Sequence, residues 1–193
     1  MKSPFSLAFT TSALLLAMCA VPYASAESRS IEVKARDNST CADPSTSVPF
    51  YFLELTSDND FYTTSITDVT TRITQGYTLQ GVVARVFLTE EVSTVPLYHV
   101  TRILNTPLGA DDLYTVSTAD LDQVIASGFY TFVGIAAYVY PSQICGSLPF
   151  YRLWEASTIR HWYTTSLEDR DVLLATGQWT DEGIEGYVLD ASS

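Results

Sequence analysis

The chain has 193 residues and a formal net charge of −12, with 22 acidic against 10 basic side chains. Proteins bind nucleic acids and anionic membranes by neutralising phosphates with Lys and Arg, so this acidic balance disfavours both. We therefore expect neither a nucleic acid nor a membrane as a partner.

The N-terminus is typical of a secretory signal peptide over residues 1–26. Lys2 precedes an apolar run from Leu7 to Val21, and Ala24-Ser25-Ala26 is a small-x-small cleavage signature. A membrane anchor is the alternative, but the apolar run is short and is interrupted by Thr10 to Ser12. The predicted location is secreted and extracellular. About 165 residues then remain, which suits a single domain with one core.

Residues 27–47 form a polar N-terminal arm with an N-glycosylation acceptor at Asn38. Only Cys41 and Cys145 lie beyond the signal peptide, and in an oxidising compartment two cysteines most simply form one disulfide. It would close a loop of about 100 residues, worth up to roughly 4–5 kcal/mol, with two unpaired thiols as the alternative. Metal binding is disfavoured because only His99 and His161 could assist the cysteines, and no cofactor is expected.

From residue 48 the chain repeats itself three times, as unit 1 (48–94), unit 2 (95–147) and unit 3 (148–193). Each unit opens with an apolar residue, Pro, an apolar residue and Tyr, which predicts a strand. A second strand carries a Tyr-Thr-x-Ser element. The copies run over Asp60–Ser65, Asp112–Ser117 and His161–Ser166.

A short helix is predicted after each second strand. The serines are placed as N-caps, the aspartates three residues later complete a capping-box variant, and the glycines eleven residues later end the helix. These are Ser65, Ser117 and Ser166, then Asp68, Asp120 and Asp169, then Gly76, Gly128 and Gly177. Apolar residues at helical spacing lie between them, so one stripe is expected against the core.

A third strand is predicted to end each unit. An aromatic residue follows each helix (Tyr77, Phe129, Trp179), and a second glycine precedes the strand. The predicted strands are Val82–Phe87, Ile135–Tyr140 and Ile184–Leu189. Unit 2 also carries a loop insertion of about four residues around Asn105–Gly109.

Three such units predict a mainly β domain over residues 48–193 with one short helix per repeat. No unit of about 45–50 residues can bury its apolar face alone, so the units must share a core. Cyclic closure removes exposed sheet edges, which favours a three-fold pseudo-symmetric β-trefoil-like domain over an open array.

The repeat resembles a family of unknown function from secreted fungal proteins, also found as accessory modules on secreted bacterial hydrolases. The motif that carries the resemblance is Pro-[Phe/Leu]-Tyr, then Phe-Tyr-Thr-Thr-Ser, then Glu-Gly-Ile-x-Gly-Tyr-Val. It covers residues 48–189 and is closest at Trp162–Ser166 and Glu182–Val188. Units 1 and 2 lack the second glycine of the last element. The resemblance implies a secreted, non-catalytic module.

Positions that differ between the units are where a binding site is expected, because positions that repeat are required by the fold. All three tryptophans lie in unit 3, at Trp154, Trp162 and Trp179, interleaved with Arg152 and His161. A flat aromatic ring beside hydrogen-bonding side chains suits a sugar, whose C–H face packs on the ring. The alternative is that Trp162 and Trp179 fill the core.

The candidate glycan-binding residues are Arg152, Trp154, His161 and Trp179, with Asp60 and Asp112 as the equivalents of His161 in the other units. A Ser-His-Asp triad can be assembled from Ser166, His161 and Asp169. Ser166 and Asp169 already have capping roles, however, and no nucleophile elbow is present, so no enzyme is expected.

The sequence thus predicts a secreted, non-catalytic module that binds extracellular or cell-wall glycans. One alternative is an inhibitor of a protease or other secreted hydrolase that acts through exposed loops, with the insertion in unit 2 as the first suspect. A structural surface protein is the second alternative.

Overall fold

The computed structural model describes residues 40–56, 59–103 and 110–193. The predicted signal peptide, the acceptor Asn38 and the insertion at 105–109 lie outside the described residues.

Each unit folds as two strands, a helix and a third strand, after a short 3-10 helix at Pro44–Thr46. Unit 1 contains β1 (Val48–Leu55), β2 (Asn59–Thr63), α1 (Ile66–Thr74) and β3 (Thr78–Val86). Unit 2 contains β4 (Val95–Ile103), β5 (Ala110–Thr115), α2 (Thr118–Ala126) and β6 (Thr131–Val139). Unit 3 contains β7 (Leu148–Glu155), β8 (Arg160–Thr164), α3 (Leu167–Ala175) and β9 (Trp179–Val188).

Each unit forms an antiparallel three-stranded sheet with its first strand in the middle. The strand orders are β2-β1-β3, β5-β4-β6 and β8-β7-β9. The predicted mainly β class with one short helix per unit is therefore confirmed.

The helix termini follow the predicted punctuation, with one difference at the N-cap. The three serine hydroxyls accept the backbone N–H of Asp68, Asp120 and Asp169 at 3.1–3.2 Å, and the glycines that end the helices have positive φ. The backbone N–H of each N-cap serine, however, donates to a threonine hydroxyl two residues earlier, and not to the aspartate of a capping box. These threonines are Thr63, Thr115 and Thr164. The strand leads directly into the helix, which brings the threonine close to the cap.

The apolar stripes of the helices are narrower than expected: in α1, Val69 is buried, but Ile73 is about half exposed.

The third strands begin earlier than the sequence indicates, because the second glycines lie inside them at register shifts. The pairs Glu54–Thr78, Thr101–Thr131 and Trp154–Thr180 fix the alignment of the units. The residue before each paired threonine is Tyr77, Tyr130 or Trp179. Of the aromatic residues that follow the helix in unit 2, the one aligned with Tyr77 is therefore Tyr130 and not the predicted Phe129, which is 63% exposed.

A cycle of tyrosine contacts joins the three units. Each tyrosine hydroxyl donates to the backbone carbonyl of the next tyrosine and accepts its backbone N–H, over distances of 2.7–3.0 Å. Tyr62 bonds Tyr163, Tyr163 bonds Tyr114, and Tyr114 bonds Tyr62; we call these residues the tyrosine triangle. All three side chains are fully buried.

The ends of the third strands are also joined in a cycle. The isolated β-bridges are Arg85–Leu189, Phe87–Tyr138 and Tyr140–Tyr187. Between these bridges and the tyrosine triangle lies a core to which every unit contributes matching residues. They include Phe50, Leu97 and Phe150 from the first strands, and Val86, Val139 and Val188 from the third strands.

The predicted disulfide between Cys41 and Cys145 is confirmed, with a Cα–Cα distance of 5.6 Å. It fixes the arm to the end of unit 2. The backbone N–H of Ala42 also donates to the Tyr140 hydroxyl at 3.1 Å.

Candidate ligand-binding cleft

Three buried polar pairs lie where one unit meets the next. Each pair joins two adjacent positions of the repeat: the residue aligned with Asn59 in one unit contacts the residue aligned with Asp60 in another. The junction pairs, as we call them, are Asn59–Asp112 at 2.8 Å, Asp111–His161 at 2.9 Å and Arg160–Asp60 at 3.2 Å. The same two positions thus form an amide–carboxylate, a carboxylate–imidazole and a guanidinium–carboxyl pair.

Each junction pair also rests on an aromatic residue at one aligned position. The Asn59 amide donates to the Tyr77 hydroxyl at 2.8 Å, and the Tyr130 hydroxyl donates to Asp111. The Arg160 guanidinium lies over the Trp179 ring, 4.9 Å from its centroid.

Four of the predicted site residues are therefore buried at the junctions. Asp60, Asp112, His161 and Trp179 are each less than one-tenth exposed. The predicted equivalence of the first three is confirmed by their pairing with Glu54, Thr101 and Trp154 on the first strands.

The buried surroundings shift the pKa of two of these groups. Burial raises the pKa of Asp60 from 3.8 to about 8, although Arg160 opposes the shift. Burial lowers the pKa of His161, but the carboxylates of Asp111 and Glu182 outweigh it, so the net shift is upward.

Arg152 and His161 are brought together by a shared carboxylate. The Arg152 guanidinium contacts Glu182 at 2.8 Å, and His161 Nε2 lies 3.3 Å from the same oxygen. Arg152 also pairs with Asp120 at 2.8 Å and Glu185 at 2.9 Å. This set of charges fills the space between units 2 and 3.

The half-buried Trp154 lies beside this cluster, with its ring centroid 4.4 Å from that of His161. Trp179 packs with Arg160 and lies 6.5 Å from Trp162. The six predicted residues thus belong to several contacts around the junctions, and only Arg152, Trp154 and His161 form one cluster.

An open cleft of about 580 Å³ lies between units 1 and 2. One wall is polar and the other is apolar. The polar wall includes Thr63, Asp68, Arg72, His99, Thr101 and Asp112, and the apolar wall includes Val133, Ile135 and Ala136.

The side chain of His99 is fixed in the wall of the cleft by its neighbours. Its Nε2 lies 2.6 Å from the Asp112 carboxylate, and its ring stacks on Tyr114 with centroids 4.5 Å apart. Arg72 is held against the other side, with its guanidinium 4.1 Å from the centroid of Phe61. The cleft therefore has fixed polar groups around a free space.

The repeat explains why this space is open. Phe52, His99 and Arg152 occupy one aligned position, since they pair with Tyr62, Tyr114 and Tyr163. Phe52 stacks on Tyr62 with centroids 4.9 Å apart, and Arg152 reaches three carboxylates. The shorter His99 turns to Asp112 and leaves room.

The facing strand also contributes to the opening. Gly134 pairs with His99 and Gly183 pairs with Arg152, so Val133 and Ala136 stand where unit 3 has Glu182 and Glu185. Smaller, uncharged side chains replace the two that bind Arg152.

Sequence reasoning found Asp112 but missed His99 and Arg72. The signal for His99 was available, because Phe52, His99 and Arg152 differ in type at a position where units could be compared.

Two further features bear on function. Within residues 40–56, 59–103 and 110–193, no group of three His, Cys, Asp or Glu side chains is arranged to hold a metal ion. In the same part of the chain, no helix has the length and apolarity needed to cross a membrane.

Three β-β-α-β units, joined by the tyrosine triangle and the junction pairs, define a repeat β domain with an open cleft at one junction. A family model described as a domain of unknown function (DUF5648) matches residues 50–189, and the chain belongs to this family. Searches of curated proteins and of solved structures find no match.

Proposed function

We propose that the protein is a secreted, non-catalytic module of β-trefoil-like closure that binds a carbohydrate in the cleft between units 1 and 2. The observation that carries the proposal is the cleft itself. Its volume of about 580 Å³ lies within the usual range of ligand pockets.

The two walls of the cleft match the two faces of a sugar. The hydroxyl of Thr101 and the charged groups of Asp68 and Arg72 can exchange hydrogen bonds with sugar hydroxyls. The side chains of Val133 and Ile135 are about half exposed and offer an apolar surface to the C–H face.

The hydrogen bonds of the serines and histidines support a non-catalytic role. Ser65 lines the cleft, but its hydroxyl accepts the N–H of Asp68 as a helix cap. His161 contacts Asp111 and Glu182 through its two ring nitrogens, and not Ser166. A serine nucleophile needs a base within hydrogen-bonding distance. These contacts provide no such base for Ser65 or Ser166.

Two observations support secretion. The Cys41–Cys145 disulfide is typical of an oxidising compartment. The N-terminal sequence has the layout of a cleaved signal peptide.

A glycan array tests the proposal with two variants that separate the two candidate locations. Thr101 lies in the cleft, and Trp154 occupies the aligned position in unit 3. Thr101→Trp places an indole in the cleft, so we expect it to lose binding while Trp154→Ala keeps it. Thermal unfolding of both variants checks that each remains folded.

The opposite pattern would move the ligand to the cluster of Arg152, Trp154 and His161. An array without any selective binding would reject a carbohydrate ligand. A panel of secreted hydrolases would then test the inhibitor hypothesis.

A further inference from the structure

We infer that the cleft between units 1 and 2 selects a saccharide that carries a free, protonated amine, and that Asp68 binds this amine. The inference rests on the proposed function, because it specifies the ligand of the same cleft.

The neighbouring junction shows what the aligned aspartate does when a cation is present. Asp120 stands in unit 2 where Asp68 stands in unit 1, since both follow an N-cap serine by three residues. Across the junction, Asp120 Oδ2 lies 2.8 Å from an Arg152 nitrogen. The chain therefore supplies its own cationic group to Asp120.

Asp68 receives no such group from the chain. The residue at the position of Arg152 is His99, which binds Asp112. Asp68 accepts one hydrogen bond, from the Thr63 hydroxyl at 3.1 Å, and has no ion pair among the described residues. It is exposed and lines the cleft.

The other charges of the cleft leave Asp68 as the carboxylate for a cation. The oxygens of Asp112 are bonded by His99 and Asn59. The guanidinium of Arg72 lies on the Phe61 and Tyr77 rings. A sugar amine at Asp68 would occupy the space that the Arg152 guanidinium fills at the next junction, with the sugar ring towards Val133.

Isothermal titration calorimetry with three oligosaccharides of equal length tests the inference. The probes are a β-1,4-linked glucosamine oligomer, its fully N-acetylated form and the glucose oligomer. The titrations are run near pH 5.5, well below the pKa of about 7.7–8.0 of an α-amino group, which like a sugar amine lies next to an electron-withdrawing group, so that the amine is charged. We expect the glucosamine oligomer to bind about five- to tenfold more tightly than the other two, as suits a partly exposed ion pair.

The chain offers a matched control for the variant. Asp68→Asn should remove the preference for the amine, so that the glucosamine oligomer binds no more tightly than the glucose oligomer. Asp169 follows the N-cap of α3 by three residues, as Asp68 follows the N-cap of α1. At that junction, Phe52 occupies the position that His99 has in the cleft. Asp169→Asn should therefore keep the full preference.

Each other result contradicts a different statement. Equal affinities for the three oligomers, or equal effects of the two variants, would overturn the inference and leave the cleft as a carbohydrate site. Failure of all three oligomers and of the glycan array would overturn the proposed function itself.

Discussion

Removal of one hydroxyl from the tyrosine triangle should destabilise the whole domain. The Tyr114 hydroxyl donates to the Tyr62 carbonyl at 2.7 Å and accepts the Tyr62 N–H at 3.0 Å. Strand β2 is at the edge of its sheet, so these outward backbone groups have no neighbouring strand to bond. Tyr114→Phe leaves both without that partner.

The expected loss follows from the number of groups left unpaired. An unpaired buried polar group costs about 1–3 kcal/mol, so two of them should lower the free energy of unfolding by about 2–4 kcal/mol after some relaxation. For a domain of this size that corresponds to a fall in Tm of roughly 5–15 °C.

Urea unfolding followed by fluorescence measures this change. Tyr98→Phe is the control, because Tyr98 is half-buried on β4 and lies outside the triangle. It should change the free energy of unfolding by no more than about 0.5 kcal/mol. If Tyr114→Phe stays within the same limit, the triangle does not hold the units together as argued.

Two further predictions concern pH and redox state. The folded pKa of Asp60 is raised to about 8, so the folded protein holds a proton that the unfolded chain releases above pH 3.8. This contribution is complete at low pH and is lost as the pH rises towards 8, so stability should fall between about pH 4 and pH 8, and Asp60→Asn should flatten that dependence. Urea unfolding near pH 5 and pH 8 measures both proteins, and parallel curves would contradict the assignment. Reduction of the Cys41–Cys145 disulfide should lower the free energy of unfolding by about 2–4 kcal/mol, whereas a Cys145→Ser variant should not respond to the reductant.

The repeated residues allowed much of the fold to be predicted. Caps and terminating glycines act locally, so Ser65 and Gly76 could be assigned from spacing alone, and the other units supplied two independent copies. The alignment of Asp60, Asp112 and His161 was found in the same way.

The candidate site could not be predicted to the same extent, because it depends on contacts between units. In the sequence, Asp60 and Asp112 are indistinguishable from surface carboxylates. In the structure both are buried, and their partners Arg160 and Asn59 lie far away along the chain. The cleft exists because His99 turns towards Asp112, and no spacing within one unit reveals that choice. The shift from Phe129 to Tyr130 has a similar origin, since the aromatic residue is fixed by its contact with Asp111.

The junction pairs also determine which assemblies the units can form. Three copies of unit 2 would place Asp111 against Asp112 at every contact, and three copies of unit 3 would place Arg160 against His161. Both would bring like charges together in a buried place, which is strongly unfavourable. Each of units 2 and 3 therefore needs a different unit at its junctions, whereas unit 1, with Asn59 and Asp60, would meet a copy of itself without like charges.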